Sequence, residues 1–216
     1  MRAAGVDEAL VLAALAEMKT DRVLPFRFLA AARHAPQWES ALEQVMFRSL
    51  EGRATRLAGH TVLLVDVSGS MDTPLSRQSE MLRNDAAYGL AILLREIAEK
   101  VTIYTFSEHA RLVPSRRGLA LRDALNTSQA HLGTYLGRAL QAVEKDCRNG
   151  YDRVVVITDE QSHDRVGAVR GRGYVINVAS NRNGVGYGAW THIDGWSEAV
   201  LEYIAALESV EGDAQA

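Results

Sequence analysis

The sequence TVLLVDVSGSM, residues 61–71, decides the fold. A nearly unbroken apolar and β-branched run ends at Asp66, and Ser68 and Ser70 follow on either side of Gly69. Continuous apolar runs of this length are typical of strands that are buried on both faces of a parallel sheet. The pattern therefore predicts a rigid central strand that delivers one carboxylate and two hydroxyls to its carboxyl end.

Strands and helices alternate in the rest of the chain after residue 61. Apolar runs predict strands at 61–67, 101–106, 153–158 and 173–179, and helical periodicity predicts helices at 79–100, 135–147 and 197–208. Such alternation is characteristic of βαβ units. We therefore predict an α/β fold, a Rossmann-like doubly wound and mostly parallel sheet flanked by helices.

The residues before this pattern predict a short N-terminal helical appendage. Asp7 is a suitable N-cap for a first helix, and two further helices are expected after Pro25 and Pro36. The apolar face of the first helix is predicted to comprise Leu10, Val11, Ala14, Leu15 and Met18; that of the last comprises Trp38, Leu42, Val45, Met46 and Ser49. We place the boundary in the polar stretch 52–60, with a helical appendage at 1–56 and the α/β domain at 57–216.

Composition narrows the possible locations and partners. The hydrophobic content of 47% and charged content of 24% are those of an ordinary globular protein, and no apolar stretch is long enough to cross a bilayer. We expect a cytoplasmic protein without a membrane role. The net charge of -3 gives no general attraction to nucleic acid. Local basic clusters at Arg116, Arg117, Arg170 and Arg172 are either solvated loop charges or a local RNA contact.

The single cysteine, Cys147, excludes an internal disulfide and a zinc site built from several thiolates. We expect its side chain to be a small buried apolar group on a helix.

Two carboxylates are predicted to meet at one edge of the sheet. Asp66 ends the first strand and Asp159 ends a later one, and ligands of open parallel sheets bind beyond these carboxyl ends. With Ser68 and Ser70, and with a tight turn at Gly69, they form an oxygen set suited to Mg²⁺ or Mn²⁺. If one carboxylate acts through water, the ion keeps an open position for an outside anion. Ordinary turn and cap chemistry is the alternative explanation of these residues.

Together these residues resemble a known metal centre. Asp66-x-Ser68-x-Ser70, then Gly133–Thr134 before a helix, then Asp159 resemble the metal-ion-dependent adhesion site of von Willebrand factor A domains. The resemblance implies that Ser68, Ser70 and Thr134 contact the metal through hydroxyls. It also implies that both aspartates ligate directly or through water, and that a partner's Asp or Glu completes the shell. Alternatively, Thr134 is simply the N-cap of the following helix.

A second resemblance extends over most of the chain. Residues 18–42, 66–71, 157–164 and 176–198 resemble the C-terminal part of Ro (TROVE) family proteins, which join a ring of helical repeats to a von Willebrand A-like domain and bind small noncoding RNAs. By this resemblance the appendage corresponds to the end of the helical-repeat region. The sequence contains only about fifty residues of that ring, so a separate helical-repeat chain is a possible partner.

The sequence therefore predicts a non-enzymatic module that binds an acidic group of a protein partner through the metal. One alternative is a component of a noncoding ribonucleoprotein with a structural metal site. Another is that the metal site is occupied from within the same chain. A third is a metal-dependent hydrolase in which Glu160, His163 and Asp164 activate water.

Two further motifs indicate no separate activity. The sequence DVSGS is not the G-x-S-x-G elbow of serine hydrolases. The glycine run NGVGYGAW lacks nucleotide-binding spacing, and we expect an irregular loop with Trp190 and Trp196 packed against it.

Overall fold

The computed structural model describes residues 6–20, 23, 25–51, 56–77, 79–179, 188–197 and 199–213. Contacts within the chain separate it into two compact units, residues 1–54 and 55–216. The assignment of the first unit to the end of a helical-repeat region stays a prediction.

The first unit contains three helices, α1 (Glu8–Glu17), α2 (Pro25–His34) and α3 (Glu39–Glu51), with a short 3₁₀ turn at Pro36–Trp38. Asp7 caps α1 as predicted, since its Oδ1 accepts a hydrogen bond of 3.0 Å from the amide of Ala9. The predicted inner face of the last helix is also confirmed, because all five of its side chains are buried: Trp38, Leu42, Val45, Met46 and Ser49.

The predicted face of α1 is wrong. Only Val11 of this helix is buried, whereas Leu10 is 66% exposed and Met18, just beyond the helix, is 40% exposed. The segment EALVLAALAE is apolar almost all round, so its periodicity does not define one inner face. The helix end is instead held by Arg48 of α3, whose guanidinium donates to the carbonyl oxygens of Leu15 and Ala16.

The second unit is built on a six-stranded sheet in the order β3-β2-β1-β4-β5-β6. Every neighbouring pair is parallel except β2 and β3. The predicted fold class is confirmed. The strands are β1 (Leu57–Asp66), β2 (Ala98–Phe106), β3 (Ala110–Leu112), β4 (Arg153–Thr158), β5 (Arg172–Asn177) and β6 (Trp190–Asp194). The helices of this unit are α4 (Arg83–Ile97), α5 (Gly118–Asn126), α6 (Leu136–Asp146) and α7 (Ala199–Asp213).

Strand β1 lies at the centre of the sheet, as its apolar run predicts. Residues 62–65 have no exposed surface, and β1 pairs with β2 on one side and with β4 on the other. The chain builds the sheet outward from β1 in one direction and then returns to start β4 on the other side. This reversal of strand order lies between β1 and β4, where a doubly wound sheet opens a crevice at its carboxyl edge.

The sequence patterns miss three elements and overextend one. Strands β3 and β6 and helix α5 were not predicted. The predicted helix at 79–100 is α4, which ends at Ile97 because Ala98 already begins β2. Leu82 is its N-cap residue and is partly buried.

Two remaining expectations concern the glycine-run loop and the single cysteine. Trp190 begins β6; its side chain is buried in the core and its indole N–H donates to the carbonyl oxygen of Gly167 over 2.9 Å. Residues 183–187 of the glycine run lie outside the described residues. Cys147 follows the last residue of α6 and is half-buried, because the helix ends one residue before it.

In the part of the chain that the structure describes, none of the helices has both the length and the apolar character required to cross a membrane.

Candidate metal centre

The carboxylate of Asp66 is fixed at the end of β1 by both of its oxygens. Oδ1 accepts a hydrogen bond of 2.8 Å from the amide of Ser68, and Oδ2 accepts one of 2.6 Å from the hydroxyl of Thr158. The residue has no exposed surface. A carboxylate oxygen has two lone pairs, so each of these oxygens can still coordinate a cation. The turn chemistry that was the alternative explanation is present and is compatible with a metal site.

The two serines converge, although they alternate in sequence. The short 3₁₀ turn Gly69–Asp72 follows Ser68 and brings the Ser68 and Ser70 hydroxyl oxygens within 3.3 Å of each other. The amide of Gly69 donates to the carbonyl oxygen of Leu132 over 2.9 Å. A Cβ atom at position 69 would lie 3.4 Å from the carbonyl oxygen of His131, an ordinary contact distance. The serine loop is therefore bound directly to the loop that carries Thr134.

Thr134 is 4% exposed, and its backbone is held from two strand ends. His163, which follows β4, accepts the Thr134 amide at Nδ1 over 3.0 Å, and its own amide donates to the Thr134 carbonyl oxygen over 2.8 Å. Ser107, which follows β2, donates its hydroxyl to Gly133 over 3.0 Å and accepts the amide of Tyr135 at its carbonyl oxygen over 2.9 Å. The Thr134 loop is therefore anchored at the same edge of the sheet as Asp66.

Thr134 is not the N-cap of α6. The N-cap position is Tyr135, and the free amides of the first turn are satisfied by the carboxylate of Asp164. Asp164 Oδ1 accepts the amide of Gly137 over 2.9 Å, and Oδ2 accepts that of Arg138 over 2.7 Å. The interpretation of Thr134 as a helix cap is therefore wrong, because a neighbouring loop supplies the cap.

The second carboxylate, Asp159, has one satisfied and one unsatisfied oxygen. It follows β4 directly and has no exposed surface. Oδ2 accepts hydrogen bonds from Arg83 Nη1 over 2.7 Å and from Gln161 Nε2 over 2.9 Å. Oδ1 is buried and has no hydrogen-bond partner among the residues that the structure describes. The same Arg83 nitrogen lies 3.4 Å from the carbonyl oxygen of Ser70, which links Asp159 to the serine loop.

The electrostatics of the centre follow from two buried carboxylates, of which Asp159 forms an ion pair with Arg83 and Asp66 accepts only neutral hydrogen bonds. Burial raises the pKa of Asp66 to about 6, and the nearby charge of Asp159 acts in the same direction. Hydrogen bonds from Ser68 and Thr158 stabilise the carboxylate and oppose this shift. A buried charge is costly unless a counter-charge compensates it, so the centre favours an added cation.

The structure brings three of the five predicted residues into direct contact, Asp66 with Ser68 and Ser68 with Ser70. The fourth, Asp159, is linked to Ser70 through Arg83. The loop of the fifth, Thr134, is bound to the serine loop. No group of three or more His, Cys, Asp and Glu side chains able to hold a metal occurs among the described residues. Two carboxylates and three hydroxyls are hard oxygen donors, and with the unpartnered Asp159 Oδ1 they fit Mg²⁺ or Mn²⁺.

Sequence reasoning missed two residues of this centre. Thr158 could have been found, because β1 and β4 pair Val65 with Ile157, so that the next residue of β4 lies beside Asp66. Arg83 had no local signal. A basic residue in the first turn of a helix opposes the helix dipole, and only the distant Asp159 explains its position.

The three residues considered for hydrolysis all have structural partners. Glu160 has a positive φ of 64°, is 1% exposed and contacts Nε2 of His192 of β6 through its carboxylate. His163 binds the backbone of Thr134, and Asp164 caps α6.

A cavity of about 560 Å³ opens at the carboxyl ends of β5 and β6, next to the edge that carries the candidate centre. Its lining includes Asn177, Asp194 and Trp196, together with Leu75 and Ser79 from the segment between β1 and α4. The carboxyl edge of the sheet thus has a recessed surface next to the candidate centre, where residues that flank a bound acidic group can pack.

The von Willebrand factor type A domain matches residues 61–161 of this chain. This segment contains all five residues of the candidate centre. No curated protein matches the sequence.

Among solved structures, the Ro (RSR) protein of Deinococcus radiodurans is similar over 88% of this chain, with 19% identity and a TM-score of 0.58. This chain covers 46% of that protein, so it spans about half the length of the relative. The likeness shows a shared fold.

Two further structures match less well. An aerotolerance-related membrane protein from Bacteroides fragilis has 20% identity and a TM-score of 0.43, over 55% of this chain and 66% of that one. Proximal thread matrix protein 1 from the mussel byssus has 13% identity and a TM-score of 0.43, over 79% of this chain and 50% of that one.

Proposed function

We propose, from the premise that this chain contains a von Willebrand factor type A domain, that it is a non-catalytic recognition module. In this proposal Asp66, Ser68, Ser70, Thr134 and Asp159 hold Mg²⁺ or Mn²⁺, and an acidic side chain of a protein partner completes the coordination.

The observation that carries the proposal is the unsatisfied Oδ1 of Asp159. This oxygen is buried, has no hydrogen-bond partner in the described part of the chain, and belongs to a carboxylate whose charge acts on a second buried carboxylate, Asp66. Buried polar atoms are nearly always paired, so an unpaired carboxylate oxygen indicates a missing cation or donor. Arg83 compensates one of the two negative charges, and a divalent ion would compensate the other.

The neutral donors support recognition of an anion in particular. Three of the five ligands are hydroxyls, which coordinate a cation without cancelling its charge. An ion held in this way remains attractive to an outside carboxylate. The absence of catalysis is also part of the proposal, and it is supported by the structural contacts of Glu160, His163 and Asp164.

The basic residues Arg117 and Arg170 lie on a part of the surface that is separate from the metal centre. Arg117 forms an ion pair with Glu96 near the end of α4, and Arg170 forms one with Glu144 shortly before β5 begins. Both positions lie toward the amino edge of the sheet, opposite the metal centre. If a small noncoding RNA binds there, the metal is not part of that surface.

The test compares wild type with Asp66→Ala and with Asp123→Ala, a matched removal of an exposed aspartate on α5. Each protein is immobilised and exposed to cell lysate with Mg²⁺ or with EDTA, and free acetate serves as a competitor. We expect a protein retained by wild type and Asp123→Ala in Mg²⁺ but lost in EDTA, in excess acetate and with Asp66→Ala. Equal retention by Asp66→Ala would remove the centre from the mechanism.

The ribonucleoprotein alternative gives a different pattern in the same experiment. RNA would be retained equally in Mg²⁺ and EDTA, retention would fall steeply with salt, and Arg116→Ala or Arg170→Ala would reduce it while Asp66→Ala would not. A separate helical-repeat chain as the retained protein would identify the partner class. A cytoplasmic location is part of the proposal, and cell fractionation tests it.

A further inference from the structure

The guanidinium of Arg83 is a positive charge built into the candidate metal centre. Its Nη1 donates to Asp159 Oδ2 over 2.7 Å and lies 3.4 Å from the Ser70 carbonyl oxygen. The side chain is only 19% exposed, and its buried Nε has no hydrogen-bond partner within the described ranges of the chain. Its backbone is fixed as well, since the Arg83 amide donates to the carbonyl oxygen of Thr73 over 3.0 Å.

This position is electrostatically unusual. Arg83 is the first residue of α4, where the helix dipole already contributes partial positive charge. The guanidinium and the helix terminus therefore both raise the potential at the oxygens of Asp159. A cation bound at Asp159 Oδ1 would have to share the carboxylate with Arg83.

We propose that Arg83 determines the charge of the loaded centre and thereby selects an acidic ligand. The inference rests on the proposed function and concerns the same site. Two carboxylates and one guanidinium leave the empty centre with one net negative charge. A divalent ion converts this into one net positive charge, which a single partner carboxylate neutralises.

Without Arg83 the same ion would be neutralised by Asp66 and Asp159 alone. The ion would bind more tightly, because a repelling charge is gone and Asp159 can offer both oxygens. The loaded centre would then have no net charge left to attract an acid. Arg83 therefore weakens metal binding and strengthens anion binding, and these two effects have opposite signs.

The experiment uses Arg83→Gln, Arg83→Lys and Arg95→Gln. Arg95→Gln removes one positive charge from the other end of α4 and serves as the matched control. Mn²⁺ affinity is measured from the electron paramagnetic resonance signal of the free ion. Retention on immobilised poly-glutamate is then measured at saturating Mn²⁺. Thermal melting in EDTA checks that each variant is folded.

We expect Arg83→Gln to bind Mn²⁺ about tenfold more tightly, or better, and to bind poly-glutamate about tenfold more weakly. Arg83→Lys should return both values toward wild type, and Arg95→Gln should leave both unchanged. A purely structural role of Arg83 predicts that both affinities fall together, and that result would overturn the inference.

The outcomes separate this inference from the proposed function. Equal Mn²⁺ affinity of wild type and Arg83→Gln would overturn the role of Arg83 and leave the metal centre intact. Binding by Arg83→Gln but not by wild type would support the role of Arg83. If neither protein binds Mn²⁺, the metal centre itself fails, and the inference fails with it.

Discussion

Charged side chains are buried at both edges of the sheet, but the two edges differ in how completely counter-charges and hydrogen bonds compensate these charges. At the amino edge, Arg153 of β4 is 2% exposed and donates from Nε and Nη2 to the two oxygens of Glu208 over 2.7 and 2.6 Å. Its other bonds go to the Thr61 hydroxyl and the Ala58 carbonyl oxygen, and Glu208 also accepts the hydroxyl of Tyr174. Every charge in this cluster has a partner.

At the carboxyl edge, Arg83 pairs with Asp159, Asp66 has only neutral hydrogen-bond donors, and Asp159 Oδ1 has no partner among the described residues. The same strand, β4, thus begins at a balanced pair and ends at an unbalanced one. A buried ion pair whose charges all have partners, such as Arg153 with Glu208, stabilises the packing of the elements that carry it. Buried carboxylates with an unpaired oxygen, such as those of the carboxyl edge, can bind a cation. The contrast indicates which edge stabilises the domain and which edge binds.

The largest expected effect is on the balanced edge. Arg153→Met leaves Glu208 buried without its counter-charge and should lower the free energy of unfolding by about 3–5 kcal/mol. Metal affinity should not change. Urea unfolding in EDTA measures the loss. The exposed ion pair of Arg170 with Glu144 is the control, and Arg170→Met should cost no more than about 1 kcal/mol. Similar costs for both substitutions would contradict the contrast.

The second effect concerns pH and the unbalanced edge. The pKa of Asp66 is raised from 3.8 to about 6 by burial, so the folded protein holds this proton more tightly than the unfolded chain. The free energy of unfolding in EDTA should therefore fall as pH rises from about 4 to about 6, by about 3 kcal/mol, and stay level above.

Asp66→Asn isolates this effect, because it keeps the shape of the side chain and removes the titration. The difference in unfolding free energy between wild type and Asp66→Asn should follow the stated pH course. A difference that does not vary between pH 4 and pH 7 would mean that the carboxylate is already compensated in the metal-free protein.

The smallest effect tests how the Thr134 loop is held. A Cβ atom at Gly137 would lie 2.2 Å from the carbonyl oxygen of Arg165, so Gly137→Ala must displace the loop after β4 that also binds Thr134. We expect a loss of about 1–3 kcal/mol in unfolding free energy and weaker Mn²⁺ binding. Gly167→Ala is the matched control, since nothing lies within 4 Å of its added Cβ. If Gly137→Ala is destabilised but binds Mn²⁺ as tightly as wild type, the loop after β4 does not contribute to metal binding.

The sequence was sufficient for the central strands and for the position of both aspartates. Strands β1, β2, β4 and β5 are long apolar runs, and parallel pairing brings the ends of β1 and β4 together. Strand β6 escaped prediction because it is a five-residue edge strand with the polar Thr191 and His192 at its partly exposed positions. Strand β3 is only three residues long.

Contacts between distant residues explain what sequence could not predict in the site. Arg83 and Asp159 are 76 positions apart, and their ion pair overrides the local preference against a basic residue at the start of a helix. Asp164 replaces Thr134 as the cap of α6 for the same reason: the cap comes from another loop. Local patterns carry no information about such pairs.

The central position of β1 also determines how binding would be detected by hydrogen exchange. Its backbone is paired on both sides over residues 61–65, so its amides exchange only when the whole domain unfolds. A ligand bound at Asp66 stabilises the folded domain and slows this exchange in proportion to the ratio of ligand concentration to Kd. The amides of the edge strand β3 exchange through local opening, so their exchange rates change little when the ligand binds. Occupancy at the carboxyl edge would thus be recorded most clearly in a central strand whose residues 61–65 have no exposed surface.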